Sequence, residues 1–363
     1  MMGANERGDA PRPASAGRPD RLEMNGLWTS PVALFLFALF LAAVFTPAFR
    51  SAARRWGLLD RPNVRSSHQS LVPRGGGAAI VVSVLAALWL VHSAWAGRTG
   101  TVAVLSGGLA LAAIGLWDDR YGLSPVSRFV AQLAVAAAVV SGLGGPDRFP
   151  LPPPLDLPLG PLARPLAVLW IVAVVNFFNF LDGIDGLAAL QAAVTSGGIV
   201  IAVWDPFAVL LAAALAGAAA GFLPFNWAPA SVFLGDVGSY FLGFTLAALP
   251  LTAPPDVRAR AVFFVSLSLW LFLADATWTL ARRALRGERV HEAHREHLYQ
   301  KLARRFGHAR VTLSIGIASA ALTAAALGAW WSASPTIWAW AALGLAVAFF
   351  ATESVAATTA RAA

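Results

Sequence analysis

The sequence predicts an all-α, polytopic membrane protein of ten or eleven spanning helices, with its polar groups gathered in a cleft on one face. Three observations predict it. Of 363 residues, 58% are hydrophobic and 13% charged, against roughly one quarter charged in soluble domains. Apolar segments long enough to cross a bilayer core, about 20 residues each, recur between short charged or proline-rich loops. The aspartates, asparagines and histidines that group into motifs fall in alternate loops.

Eleven segments qualify as spans, at about 30–49, 76–95, 100–117, 128–145, 165–181, 187–204, 206–224, 239–253, 261–281, 311–330 and 336–353. Taken alternately, the loops 50–74, 118–128, 182–186, 225–238, 282–310 and the C-terminus hold 18 of the 27 Lys and Arg. Spanning proteins keep positive charge in their cytoplasmic loops, so this set is cytoplasmic and the N-terminus external. The same bias explains the formal charge of +8 without invoking nucleic acid. Residues 1–25, rich in Pro, Gly and Ala and without an apolar core, read as a disordered tail rather than a signal peptide, and Met24 offers an alternative start. Residues 26–355 form one transmembrane domain that includes the histidine and arginine loop 282–310. The stiff, proline-rich loop 145–165 lies on the external side. Cysteine is absent, which excludes thiolate chemistry and Cys-ligated metals.

The third span ends in GLWDDR, where Asp118 and Asp119 place adjacent carboxylates at a helix terminus. Such a pair is costly unless wet, paired or metal-bound. The stretch NFFNFLDGIDGLA starts at Asn176 and is the most informative in the chain. At helical spacing Asn176, Asn179 and Asp182 share an arc of about 120°, a polar stripe on an apolar helix. Gly183 and Gly186 then break the helix beside a second carboxylate, Asp185. The segment FNWAPASVFLGDVGS supplies Asn226, Phe233 and Asp236, the last between glycines before the next span. Asp236 is placed either to cap that helix or to hold a metal, and Phe233 either to pack or to stack a base. In the first loop, His68 and Arg74 precede three glycines at a helix start, an arrangement suited to an anion. The loop HEAHREHLYQKLARR carries His291, His294 and His297 on one helical face among arginines; it suits phosphate, or an anionic lipid surface. Asp118, Asp119, Asp182, Asp185 and Asp236, with no cysteine, favour a hard cation with oxygen ligands, magnesium first and manganese second. Phosphoryl transfer between a nucleotide substrate and a lipid is the economical reaction class.

In combination and order, PRGGG at Pro73, the Asp118–Asp119 pair, the Asn176 and Phe225 motifs and the histidine loop resemble the polyprenyl-phosphate N-acetylhexosamine-1-phosphate transferases, glycosyltransferase family 4. The resemblance covers roughly residues 50 to 310. It implies transfer of a sugar-1-phosphate from a UDP-sugar to undecaprenyl phosphate with magnesium, releasing UMP, in the bacterial inner membrane with the site facing the cytoplasm. It implies Asp236 as metal ligand, joined by Asp118, with Asp118 and Asp119 beside the phosphates. Asp182, Asp185, Asn179 and Asn226 would line the nucleotide side, Phe233 would form a uracil platform, and His294 and His297 would contact diphosphate or sugar. Asn176 extends the same polar stripe. The histidine loop reads HREH, as in enzymes that initiate O-antigen-type polysaccharides, so GlcNAc or a 6-deoxy relative is the expected sugar. The peptidoglycan branch carries a lysine in the first loop that is missing here, since Lys301 is the only lysine, and His68 or Arg74 stands in its place. A homodimer is an open expectation. Two rivals remain. An intramembrane aspartyl protease requires a GxGD element, whose first position is filled here by Phe233; a lipid flippase or ion-coupled transporter requires charges at mid-membrane.

Overall fold

The computed structural model describes residues 30–60, 71–288, 296–332 and 335–359; His68, His291, His294 and the tail 1–25 lie outside them. The described chain is almost entirely helical. In order it forms α1 (Pro31–Arg55), a short antiparallel pair β1 (Leu59–Asp60) and β2 (Val72–Pro73), α2 (Gly77–Leu90), α3 (His92–Trp95), α4 (Thr99–Tyr121), α5 (Pro125–Leu143), α6 (Ala163–Leu181), α7 (Leu187–Ala202) and α8 (Pro206–Asn226). It continues with α9 (Gly235–Ala248), α10 (Pro255–Ser268), α11 (Trp270–Leu285), α12 (Leu298–Phe306), α13 (His308–Trp331) and α14 (Pro335–Thr359). Helix starts follow local chemistry. Ser124 accepts from Ser127 N before Pro125, and Asp205 accepts from Ala208 N at 3.0 Å before Pro206. Each pairs a side-chain cap with a proline whose missing N–H would have had no partner.

Among the described residues six helices are long and apolar enough to cross a membrane, seven if α10 and α11 count as one bent span, and three more are shorter and apolar. Each of the eleven expected spans coincides with a helix or helix pair, although length and composition do not fix the number that cross. One expectation is corrected in shape: the ninth span, read as continuous over 261–281, is broken at Leu269, where α10 and α11 meet at 74°. Asp118 and Asp119 lie inside the last turn of α4 rather than beyond it.

The core follows from small residues. In α8, 83% of the spanning window is buried, against 22% in α1. α8 is mostly Ala, Gly and Leu, and the carbonyls of Phe35 and Leu39 in α1 rest directly on Gly217 and Gly221. Close backbone approach of this kind is how helices associate where lipid competes equally for apolar side chains. α9 is packed on all sides by α2, α4 and α6, and its N-terminus is where the polar groups converge.

Candidate active site

Asp236 stands in the first turn of α9, just after Gly235, whose φ of 76° turns the chain into the helix. Three other parts of the chain meet on it. From α4, Asp119 accepts from Asp236 N (3.0 Å, Oδ1) and Val237 N (3.2 Å, Oδ2), satisfying amides that a helix start leaves without partners. From the glycine-rich first loop, Arg74 Nη2 lies 2.6 Å from Asp119 Oδ1 and 3.4 Å from Asp236 Oδ2. Burial opposes the Arg74 charge, but Asp119, Asp236 and Asp60 more than offset it and hold the guanidinium above its ordinary pKa. From α6, Asn179 Nδ2 donates to Asp236 Oδ1 at 2.6 Å and to Ser239 Oγ at 3.1 Å. Backbone bonds seat the first loop beside this cluster: Phe233 N donates to Pro73 O (2.8 Å), Gly76 N to Phe233 O (2.9 Å) and Gly77 N to Leu234 O (2.8 Å).

Asp182 caps the C-terminus of α6 and is half-buried. Burial pushes its carboxyl well above the usual carboxylate range, the negative fields of Asp236 and Asp119 push it further, and Arg74 partly opposes them. The cluster therefore carries more negative charge than Arg74 balances, a field that invites a cation.

The other two carboxylates have local work. Asp118, 3% exposed, accepts from Leu123 N (2.7 Å), Arg128 Nε (2.8 Å) and Tyr240 OH (3.1 Å). The Asp118 oxygens, expected beside the metal and the phosphates, bind α4 to α5 and α9 in this structure. Asp185 accepts from Ala230 N (3.1 Å), has His308 Nδ1 at 3.4 Å, and its carbonyl accepts from Thr312 (2.8 Å). It ties the 182–186 loop to the 227–234 segment and α13.

The asparagines separate in the same way. Asn226, 2% exposed, accepts from Gly186 N (3.1 Å) and donates to Val232 O (3.0 Å), so its amide joins two loops rather than lining a surface. Asn176, one turn before Asn179 on α6, donates to Gln132 Oε1 of α5 at 2.6 Å. Phe233 is half-buried, with both its backbone groups bonded to the first loop. His297, 3% exposed, lies 3.5 Å through Nδ1 from Asp275 Oδ1. Sequence reasoning missed Arg128, Ser239, Tyr240 and Tyr299. A tyrosine on the otherwise apolar α9, one of three in the chain, was the available signal for Tyr240.

Among the described residues no three His, Cys, Asp or Glu side chains close into a metal shell. A site of one or two carboxylates completed by substrate phosphates is the usual manner of magnesium, and the Asp236 and Asp182 carboxylates, with Asn179 behind, fit it.

Residues 101–253 match the profile of glycosyl transferase family 4. A "Probable undecaprenyl-phosphate N-acetylglucosaminyl 1-phosphate transferase" of Bacillus subtilis is 31% identical over 75% of this chain and 76% of its own. A decaprenyl-phosphate N-acetylglucosaminephosphotransferase of Mycobacterium tuberculosis is 31% identical over 77% of this chain and 78% of its own. A phospho-N-acetylmuramoyl-pentapeptide-transferase of Aquifex aeolicus is 31% identical over 70% of this chain and 82% of its own. With that likeness spread over three quarters of its length, and with its aspartates and asparagines converging on the N-terminus of α9, the chain belongs to glycosyl transferase family 4, the polyprenyl-phosphate sugar-1-phosphate transferases.

Proposed function

We propose that this protein transfers N-acetylhexosamine-1-phosphate from a UDP-sugar to undecaprenyl phosphate, giving the undecaprenyl-diphosphate sugar and UMP, and so initiates a cell-envelope polysaccharide. The observation that carries the reading is the convergence of Arg74, Asn179, Asp119 and the half-buried Asp182 on Asp236 at one helix start. An oxygen of the lipid phosphate attacks the sugar-bearing phosphorus of the UDP-sugar. The bond from that phosphorus to the bridging oxygen breaks, and UMP leaves with the electron pair. Asp236 and Asp182 would hold magnesium, which when bound neutralises the diphosphate and polarises its phosphorus. Arg74, anchored by Asp119, then has its guanidinium beside the phosphates. Asn179 fixes one oxygen of Asp236 so that the other faces the ligand. Phe233 serves as the uracil platform, and His68 and His294 serve as further substrate contacts.

UDP-GlcNAc is the first candidate donor, since the Bacillus and Mycobacterium relatives are named for N-acetylglucosamine, and 6-deoxy relatives follow from the HREH sequence. The cleft faces the cytoplasm of the inner membrane, where UDP-sugars are made, in keeping with the basic loops on that side. The test is UMP release by purified protein given undecaprenyl phosphate, magnesium and a panel of UDP-sugars. Silence with every UDP-N-acetyl sugar would sink the reading.

A further inference from the structure

The 182–186 loop has no regular structure of its own, so its position depends on what presses against it. Asn226 and Ala230 hold its far end through Gly186 and Asp185. On the Asp182 side the contact comes from α12. Tyr299 is 1% exposed, and its hydroxyl donates to Phe180 O at 2.7 Å. The same oxygen lies so close to Gly183 that a Cβ there would overlap it.

α12 is itself anchored. Asp275 of α11, 4% exposed, accepts from Leu298 N at 2.8 Å and Tyr299 N at 3.2 Å, the first two amides of α12, and from the Thr279 hydroxyl at 3.1 Å. A helix of nine residues is too short to hold itself; this cap holds it, and Tyr299 with it. A carboxylate and a phenol buried in this way are costly unless their bonds are made; those from Asp275 to the start of α12 and from Tyr299 to Phe180, two residues before Asp182, run toward the loop.

We propose that Asp275 and Tyr299 are positioning residues, a strap running from α11 through the start of α12 that sets where Asp182 stands in the cleft. The strap begins at His297, the N-cap of α12. The inference rests on Asp182 belonging to the transferase site.

Tyr299→Phe keeps the ring and its packing and removes only the hydroxyl. The expected result is a kcat lowered roughly three- to tenfold, the worth of one net hydrogen bond. The thermal midpoint and the KM for undecaprenyl phosphate should stay unchanged, with faster amide exchange across residues 180–186. Asp275→Asn, which retains one acceptor oxygen, should move both readouts less than Asp275→Ala. A purely structural role would lower the thermal midpoint and leave kcat per folded enzyme intact. Wild-type exchange across 180–186 in Tyr299→Phe, or wild-type kcat, overturns the proposal. If the unmodified protein releases no UMP, the transferase reading fails by itself, and amide exchange alone then decides whether Tyr299 holds the loop.

Discussion

Aspartates that look equivalent in the sequence divide by partner. Asp118, Asp119 and Asp185 accept backbone amides from other segments, while Asp236 takes side-chain donors, Asn179 and Arg74. Residue type and spacing announced a carboxylate site; they could not assign these roles, because deciding partners come from other segments, Asp236 for Asp119 and Ala230 for Asp185. Asp182 gives a pH signature. Its pKa is raised, chiefly by burial, so the carboxyl keeps its proton into a range where ordinary carboxylates are ionised, and the full negative field exists only above that pKa. Activity should therefore show an acid limb above the usual carboxylate range. Cation and proton compete for the group, so raising magnesium should move the limb to lower pH; profiles of kcat/KM against pH at two magnesium concentrations read this, and a limb that does not move places the ionisation elsewhere. Folding responds with the opposite sign to activity: a raised folded-state pKa means that stability falls as pH rises through it, and Asp182→Asn should abolish that decline. At Asn179, the side chain donates to Asp236 and to Ser239. Loss of such a supporting bond commonly costs about 10- to 100-fold in metal affinity or activity. Asn179→Ala should accordingly raise the magnesium concentration for half-maximal rate, and an unchanged requirement would remove Asn179 from the metal's support.

The helices themselves were legible where hydropathy is decisive. Each expected span falls on a helix or helix pair, because about 20 apolar residues carry one message in a bilayer. The break at Leu269 was not legible: both halves are apolar, and neither Pro nor Gly marks the joint. The start of α12 was hidden for a related reason, since its cap, Asp275, lies on another helix 23 residues before Leu298. The loops after α6 and α8 depend on each other through Asn226, whose amide bonds Gly186 on one and Val232 on the other. Asn226→Ala would leave two buried backbone groups without partners, at about 1–3 kcal/mol each. The expected outcome is a clear drop in thermal midpoint with UDP-sugar and lipid kinetics affected alike. A selective rise in KM for the UDP-sugar at unchanged stability would instead make Asn226 a nucleotide contact.

For the whole molecule, sidedness is the first expectation to check. The chain contains no cysteine, so single cysteines can be introduced without background. With the carboxylate cleft facing the cytoplasm, a cysteine in the 145–165 loop should react with an impermeant maleimide on intact cells. One at Gly287 should react only after permeabilisation, and the reverse pattern would invert the topology and with it the supply of UDP-sugar. The seam between α2 and α9 bears on a different matter, the making of hardier variants. Gly77 and Gly238 meet backbone to backbone, each occupying the space where the other's Cβ would project. Replacing glycine with alanine is a standard route to stability because it restricts the unfolded chain. Here the route is closed from both sides at once, since neither position can accept a methyl group while the other remains in place and no compensating smaller residue exists. Engineering for robustness must therefore begin on the lipid-facing surfaces of α1 and α5, leaving this glycine seam as it is.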